Sequence, residues 1–120
     1  MIYVESVLHV ADNSGALKAQ CIKVLKNKKF AKIGDEIVVT IKKAKPNTKI
    51  KKGEIHKAIV IRTKKELRRL DGTTIQFKNN EIILINPEKQ PIGNRVFGPV
   101  TYELREQNLL KIISLSPTIL

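Results

Sequence analysis

Apolar and β-branched residues in this chain come in short runs broken by turn signals, a pattern that predicts strands rather than helices. Val4 to Val10 reads as a first strand. Ala11-Asp12-Asn13-Ser14-Gly15 follows as a turn cluster, because Asp, Asn and Ser hydrogen-bond their own backbone and Gly accepts positive φ. Ala16 to Leu25 is a second strand, with Cys21, Ile22, Val24 and Leu25 as core candidates. Gly34-Asp35 opens a third, Glu36 to Ala44, in which Ile37, Val39 and Ile41 fall on one face. Ile55 to Ile61 is too short and too branched to prefer a helix and reads as a buried fourth strand. Asp71-Gly72 then turns the chain, Thr73 to Phe77 runs out, and Glu81 to Ile85 comes back as a hairpin beneath the end of that strand.

The pattern changes after Ile85. Asn86 to Gly98 is irregular, with Pro87, Pro91, Gly93 and Gly98. A helix starts at Thr101, a suitable N-cap, and runs to about Gln107. Asn108 caps a second, Leu109 to Leu115, which Ser116-Pro117 ends, with Leu110, Ile113 and Pro117 facing the body. Short strands followed by two short helices predict a small antiparallel barrel with helical closure. The expected organisation is a single domain over 1–120, with barrel and loops over 1–100 and helices over 101–120. A chain of 120 residues suffices for a real core.

Charge adds what the pattern cannot. Lys and Arg number 23 against 11 Asp and Glu, a net charge of +12, while apolar residues make up 42% and exclude general disorder. The excess calls for a polyanionic partner, nucleic acid before membrane surface. It is clustered in three places: Lys26, Lys28, Lys29 and Lys32 around Phe30; Lys42, Lys43, Lys45, Lys49, Lys51 and Lys52 around Pro46-Asn47; and Arg62, Lys64, Lys65, Arg68 and Arg69 after the fourth strand. The middle cluster reads as a long hairpin whose tip projects beyond the body. That run has a second reading, a solvated face that discourages edge-to-edge pairing. Arg forks and stacks where Lys is a point charge, so Arg62, Arg68, Arg69, Arg95 and Arg105 are the candidates for precise contacts.

No catalytic pattern emerges. His9 and His56 lie within strand runs without a second ligand at metal spacing. Asp12, Asp35, Glu36, Asp71 and Glu103 sit in turns or at element ends, where carboxylates serve as caps. Ser14 and Ser114 lack a neighbouring His, and the glycines are isolated turn residues, so no catalytic residue, metal or cofactor is expected. Cys21 is alone, which favours a reducing compartment and an inert buried thiol. No apolar stretch is long enough for a membrane span, and no signal or transit peptide is expected. Lys outnumbers Arg 18 to 5, a bias of AT-rich coding that favours an organelle or a low-GC bacterium. Aromatic residues are few and none pair at strand spacing, which points away from base-stacking single-strand binders and toward phosphates and the shape of folded RNA.

Several motifs then carry a resemblance. Ala11-Asp12-Asn13-Ser14-Gly15-Ala16, Cys21-Ile22-Lys23-Val24-Leu25, Ala58-Ile59-Val60-Ile61-Arg62-Thr63-Lys64-Lys65, Phe77 with Asn80, Pro91-Ile92-Gly93-Asn94-Arg95-Val96-Phe97-Gly98-Pro99-Val100, Glu103-Leu104-Arg105 and Lys111-Ile112-Ile113-Ser114-Leu115-Ser116-Pro117 stand in order along the chain. Together they resemble the large-subunit ribosomal protein L fourteen family, in its bacterial and organellar branch. The resemblance implies a mainly β fold: a five-stranded antiparallel barrel with a projecting hairpin and two short C-terminal helices. It implies binding to large-subunit rRNA, contact with small-subunit rRNA in an intersubunit bridge, and ribosomal protein L nineteen as a neighbour. It also implies a docking face for a ribosome-silencing factor at or near Asn94, Arg95 and Lys111. The chain departs from the family at Leu17, where a basic residue is usual, at Asn94 for Thr, and at Glu81 for a small residue. Its Lys26 to Lys32 loop also lacks the usual Gly-rich form. The expected setting is the large subunit of a mitochondrial ribosome, or otherwise a plastid or bacterial one. Two other classes stay open here: a free-standing RNA-binding translation regulator with a similar barrel, and a small RNA-modifying or nuclease enzyme.

Overall fold

A computed structural model describes residues 2–106 and 109–120, without the side chains of residues 105 and 106. Among the described residues the strands follow the apolar runs. They are β1 (Val7–Val10), β2 (Ala16–Val24), β3 (Glu36–Ala44), β4 (Ile55–Arg62), β5 (Leu67–Arg68), β6 (Thr74–Ile75) and β7 (Glu81–Ile85). Five of them close into a barrel in the order β1-β2-β3-β4-β7. Neighbours pair antiparallel except at the seam, where β1 and β7 run parallel through His9↔Glu81 and Val10↔Ile82. The helices are α1 (Glu103–Glu106) and α2 (Leu110–Leu115). No helix among the described residues is long and apolar enough to cross a membrane.

The unbroken apolar runs of β4 and β7 have a direct cause. Strand side chains alternate between faces, and here both faces are covered. Ala58, Val60, Ile82 and Leu84 point into the barrel with Leu8, Cys21, Ile37, Val39 and Ile41. Ile59, Ile61, Ile83 and Ile85 point out, against Val96, Val100, Leu104 and Ile112 of the C-terminal segment. Each fully buried Ile contributes about 1.5–3 kcal/mol of apolar burial, so this second layer fixes the C-terminal segment to the barrel wall. Cys21 is buried, as its apolar setting predicts.

Four expectations are corrected. Ile22 is exposed rather than buried, because a bulge between Cys21 and Lys23 turns two successive residues outward before Val24 returns to the core. Thr74 and Ile75 do not pair with Glu81 to Ile85. They pair back across Asp71-Gly72 with Leu67 and Arg68, forming a separate two-stranded ribbon, while β7 is a full barrel strand. In α2 the buried residue is Ile112; Leu110 is exposed and Pro117 also faces solvent. The N-cap of α2 is Leu109, without a side-chain cap; Asn108, expected in that role, lies outside the described residues.

The β3–β4 connection also behaves differently from a plain extended hairpin. The last ladder pair is Thr40↔Ile55, Ile41 N donates to Glu54 O and Ile41 O accepts from Gly53 N just beyond it, and the connection then folds back on the barrel. Lys45 N donates to Gly15 O at 2.8 Å, and Ile50 is buried in the barrel core. Gly15, at φ +110°, leaves room for Thr48; a Cβ there would stand 2.6 Å from Thr48 Oγ1. The element that stands apart from the barrel is the β5–β6 ribbon, with Leu70 fully exposed at its turn.

Candidate nucleic-acid interface

The third basic segment starts where β4 leaves the barrel, and its root is tightly tied. Lys64 N donates to Asn80 Oδ1 at 2.8 Å, Gln76 Nε2 donates to Lys64 O at 3.2 Å, and Thr63 Oγ1 donates to Lys65 O at 3.1 Å. Asn80, noticed in the sequence only as part of a motif, therefore has a mechanical role: it fixes the backbone from which Lys64 and Lys65 project. Lys64, Lys65 and Arg68 are all exposed.

The first basic segment comes to meet it. Lys26 and Asn27 both take left-handed backbone angles, φ 63° and 56°, and turn the loop tightly after β2. Asp35 closes the loop by accepting from Lys32 N at 2.8 Å and from Lys28 Nζ at 2.9 Å. Ile2 and Ala31 exchange backbone hydrogen bonds at 3.0 and 2.7 Å, anchoring the far side. The result is a groove of about 750 Å³ between the 30–33 stretch and the ribbon, lined by Phe30, Lys32, Ile33, Thr63, Lys65, Glu66, Leu67, Arg68 and Gln76. Lys32, Lys65 and Arg68, drawn from two segments distant in sequence, share its walls. Lys26, Lys28 and Lys29 stand exposed on the same loop, with Lys28 held by Asp35.

Two of the expected RNA-contacting arginines have other work. Arg62 is buried, 6% exposed. Its Nη1 donates to Pro99 O at 2.8 Å, its Nη2 to Phe97 O at 2.6 Å, and it forms an ion pair with Glu81. Gly98 makes this possible, since at φ +82° any Cβ would collide with the guanidinium. Arg62 is thus a strut between β4, β7 and the 97–99 stretch, which corrects its assignment to the cationic surface. Arg69 turns to α1: Nε donates to Glu103 Oε2 at 2.9 Å, and Nη2 to Glu103 Oε1 at 3.0 Å and to Leu120 O at 2.6 Å. This bidentate pair ties the ribbon to the C-terminal segment. The side chain of Arg105 lies outside the described residues.

The other candidates fall on separate surfaces. Lys42, Lys43, Lys45, Lys49, Lys51 and Lys52 are exposed at the end of β3 and along its connection to β4. Asn94 and Arg95 are exposed on the 91–95 loop, which docks on the β1–β2 turn: Asn94 N donates to Asn13 Oδ1 at 2.9 Å, and the two side-chain amides are hydrogen-bonded. The Arg95 guanidinium lies 5.8 Å from the centre of the Phe97 ring. Exposed Lys111 reaches Gln90 Oε1 at 3.4 Å, just before this loop begins.

Carboxylates do the capping expected of them. Asp12 accepts from Ser14 N at 3.1 Å, Ser14 Oγ at 2.5 Å and Leu84 N at 3.2 Å. Burial raises its pKa, and these hydrogen bonds offset only part of that. Glu103 also loses solvation by burial, yet the hydrogen bonds and charge of Arg69 hold its carboxyl below the usual range. His56 Nε2 lies 2.8 Å from Glu54 Oε2, and no group of three or more metal-ligating side chains occurs among the described residues.

A family model described as ribosomal protein L14p/L23e matches residues 1–120.

Proposed function

The chain belongs to the ribosomal protein L14p/L23e family, whose members are structural proteins of the large ribosomal subunit, and from that premise we propose that it grips large-subunit rRNA through its clustered cations. The observation that carries this reading is the convergence of Lys32, Lys65 and Arg68 from two distant segments on one groove. Such convergence concentrates positive charge on one exposed surface, where a polyanion's phosphates can meet it. Lys26, Lys28, Lys29 and Lys64 extend that surface, and Lys42, Lys43, Lys45, Lys49, Lys51 and Lys52 supply a second. Arg105 stays with the first by sequence alone. Phosphate contacts of this kind set position and orientation without reading bases.

The face bordered by Asn94, Arg95 and Lys111 is the proposed contact with small-subunit rRNA in an intersubunit bridge. It is also the face offered to neighbouring ribosomal proteins such as L nineteen and to a ribosome-silencing factor. Its exposed, mixed amide and cationic character supports both uses. The Lys-rich composition, 18 Lys to 5 Arg, supports an organellar ribosome, mitochondrial first, over a bacterial one.

Gradient sedimentation of native lysate, with the chain followed by mass spectrometry in low and then high salt, tests the placement. Retention on the large subunit through the salt wash is expected; release as free protein overturns it. For the surface itself, Lys65→Glu with Arg68→Glu impairs incorporation into large subunits more than Lys28→Glu does. Equal, small effects at both places would count against the groove.

A further inference from the structure

The groove is richer than a phosphate site requires. Phe30 lines it beside Ile33 and Leu67, and the ring is only partly buried. Lys32 Nζ lies 5.7 Å from the ring centre, and Tyr3 packs against the ring at 5.7 Å between centroids and 50° between planes. A cluster that held phosphates alone would gain nothing from leaving an aromatic side chain at the water's edge among its lysines, since apolar surface there costs free energy until something covers it. A nucleobase covers it well. Bases stack on aromatic rings whatever their sequence, and an unpaired nucleotide brings a flat apolar face and a negative charge within a few ångströms of each other.

We propose that this groove takes one unpaired nucleotide of RNA, its base against Phe30 and its flanking phosphates on Lys32, Lys65 and Arg68. The inference rests on the rRNA reading above and adds the class of RNA the groove selects: an unpaired, everted residue rather than a duplex backbone. Leu67 of the ribbon supplies apolar surface across from the 30–33 stretch, and Glu66 and Gln76 bring hydrogen-bonding groups suited to a base edge. The volume, about 750 Å³, lies within the range of small-molecule sites. Tyr3 steadies Phe30, so the ring is set before RNA arrives. Tyr3 and Phe30 are far apart along the chain, and the Ile2↔Ala31 bridge brings them together.

The chain has no tryptophan, so Phe30→Trp in the full-length protein places a single fluorescent reporter in the groove. Titration with an unstructured cytidine–adenosine oligoribonucleotide is expected to give saturable quenching. An abasic strand of equal length, a blunt RNA duplex and an acidic peptide are expected to give little. In the otherwise native chain, Phe30→Leu keeps the apolar volume without the ring and weakens oligonucleotide binding about tenfold, as the loss of one base stack predicts. RNA binding by anisotropy without quenching, or equal binding of the abasic strand, overturns the groove assignment while leaving the rRNA reading in place. Equal quenching by the acidic peptide overturns it in favour of a protein segment. Failure to bind any RNA overturns both.

Discussion

Arg62 shows how far one residue's role depends on partners that sequence does not display. It stands just before Lys64 and Lys65, and by position alone it belongs with them. The β4–β7 register sets it opposite Glu81, and the turn at Gly98 brings two carbonyls to its guanidinium. Removing one member of a buried pair leaves the other charge uncompensated. Arg62→Ala is therefore expected to lower stability by about 3 kcal/mol in urea unfolding, whereas Lys29→Ala, exposed, should change it by less than about 0.5 kcal/mol. A neutral Arg62→Ala would return that residue to the surface set. One signal was available beforehand: Glu81 departs from the residue usual at its position, and an unexpected acid calls for a cation. Nothing in the sequence located that cation.

At the scale of elements, the apolar runs gave four barrel strands to within a residue, with Glu36–Ala44 predicted as found, while β1 starts at Val7, three residues later than predicted, after a turn at Val4-Glu5. Two-residue strands are another matter. β5 and β6 carry no periodicity, so the Asp71-Gly72 turn was readable and its partner was not. Six-residue α2 likewise gives too few turns to fix a face: Ile113 packs in part as predicted, Leu110 does not, and Ile112, which was not predicted, is the fully buried residue. Ile112→Ala should cost about 3 kcal/mol, and Leu110→Ala, on the exposed face, less than about 1 kcal/mol; thermal melts of both variants separate them. The ribbon's attachment to α1 carries a pH signature. Glu103 titrates below its ordinary value of 4.5 in the folded chain, so its contribution is complete above that pH and is lost as pH falls through the lower, folded value. Wild-type melting temperature should thus drop more steeply on acidification below about pH 4.5 than that of Arg69→Ala, in which the cause of the shift is gone. Parallel curves would mean that the pair contributes nothing.

For the whole molecule the dominant quantity is charge, +12 over 120 residues, carried mostly on connections rather than on barrel strands. That much was plain from the sequence. The convergence of separate segments was not, because it depends on how the loops fold back. If about 6–10 phosphates are neutralised, affinity of the intact protein for large-subunit rRNA should fall by about three to five decades between about 50 and 200 mM salt. A flat salt response in filter binding would exclude a phosphate-dominated grip. The parallel seam has a consequence of another kind. β1 finds its second neighbour only when β7 has been synthesised, so a growing chain passes through an open sheet with two unpaired edges. Long-range closure is the slow kind of folding event, and open edges recruit strands from other chains. Throughout that wait the basic loops after β2 and β3 are already out, and like-charged copies repel one another. The same lysines that later hold RNA keep nascent chains apart until the last strand arrives to shut the barrel.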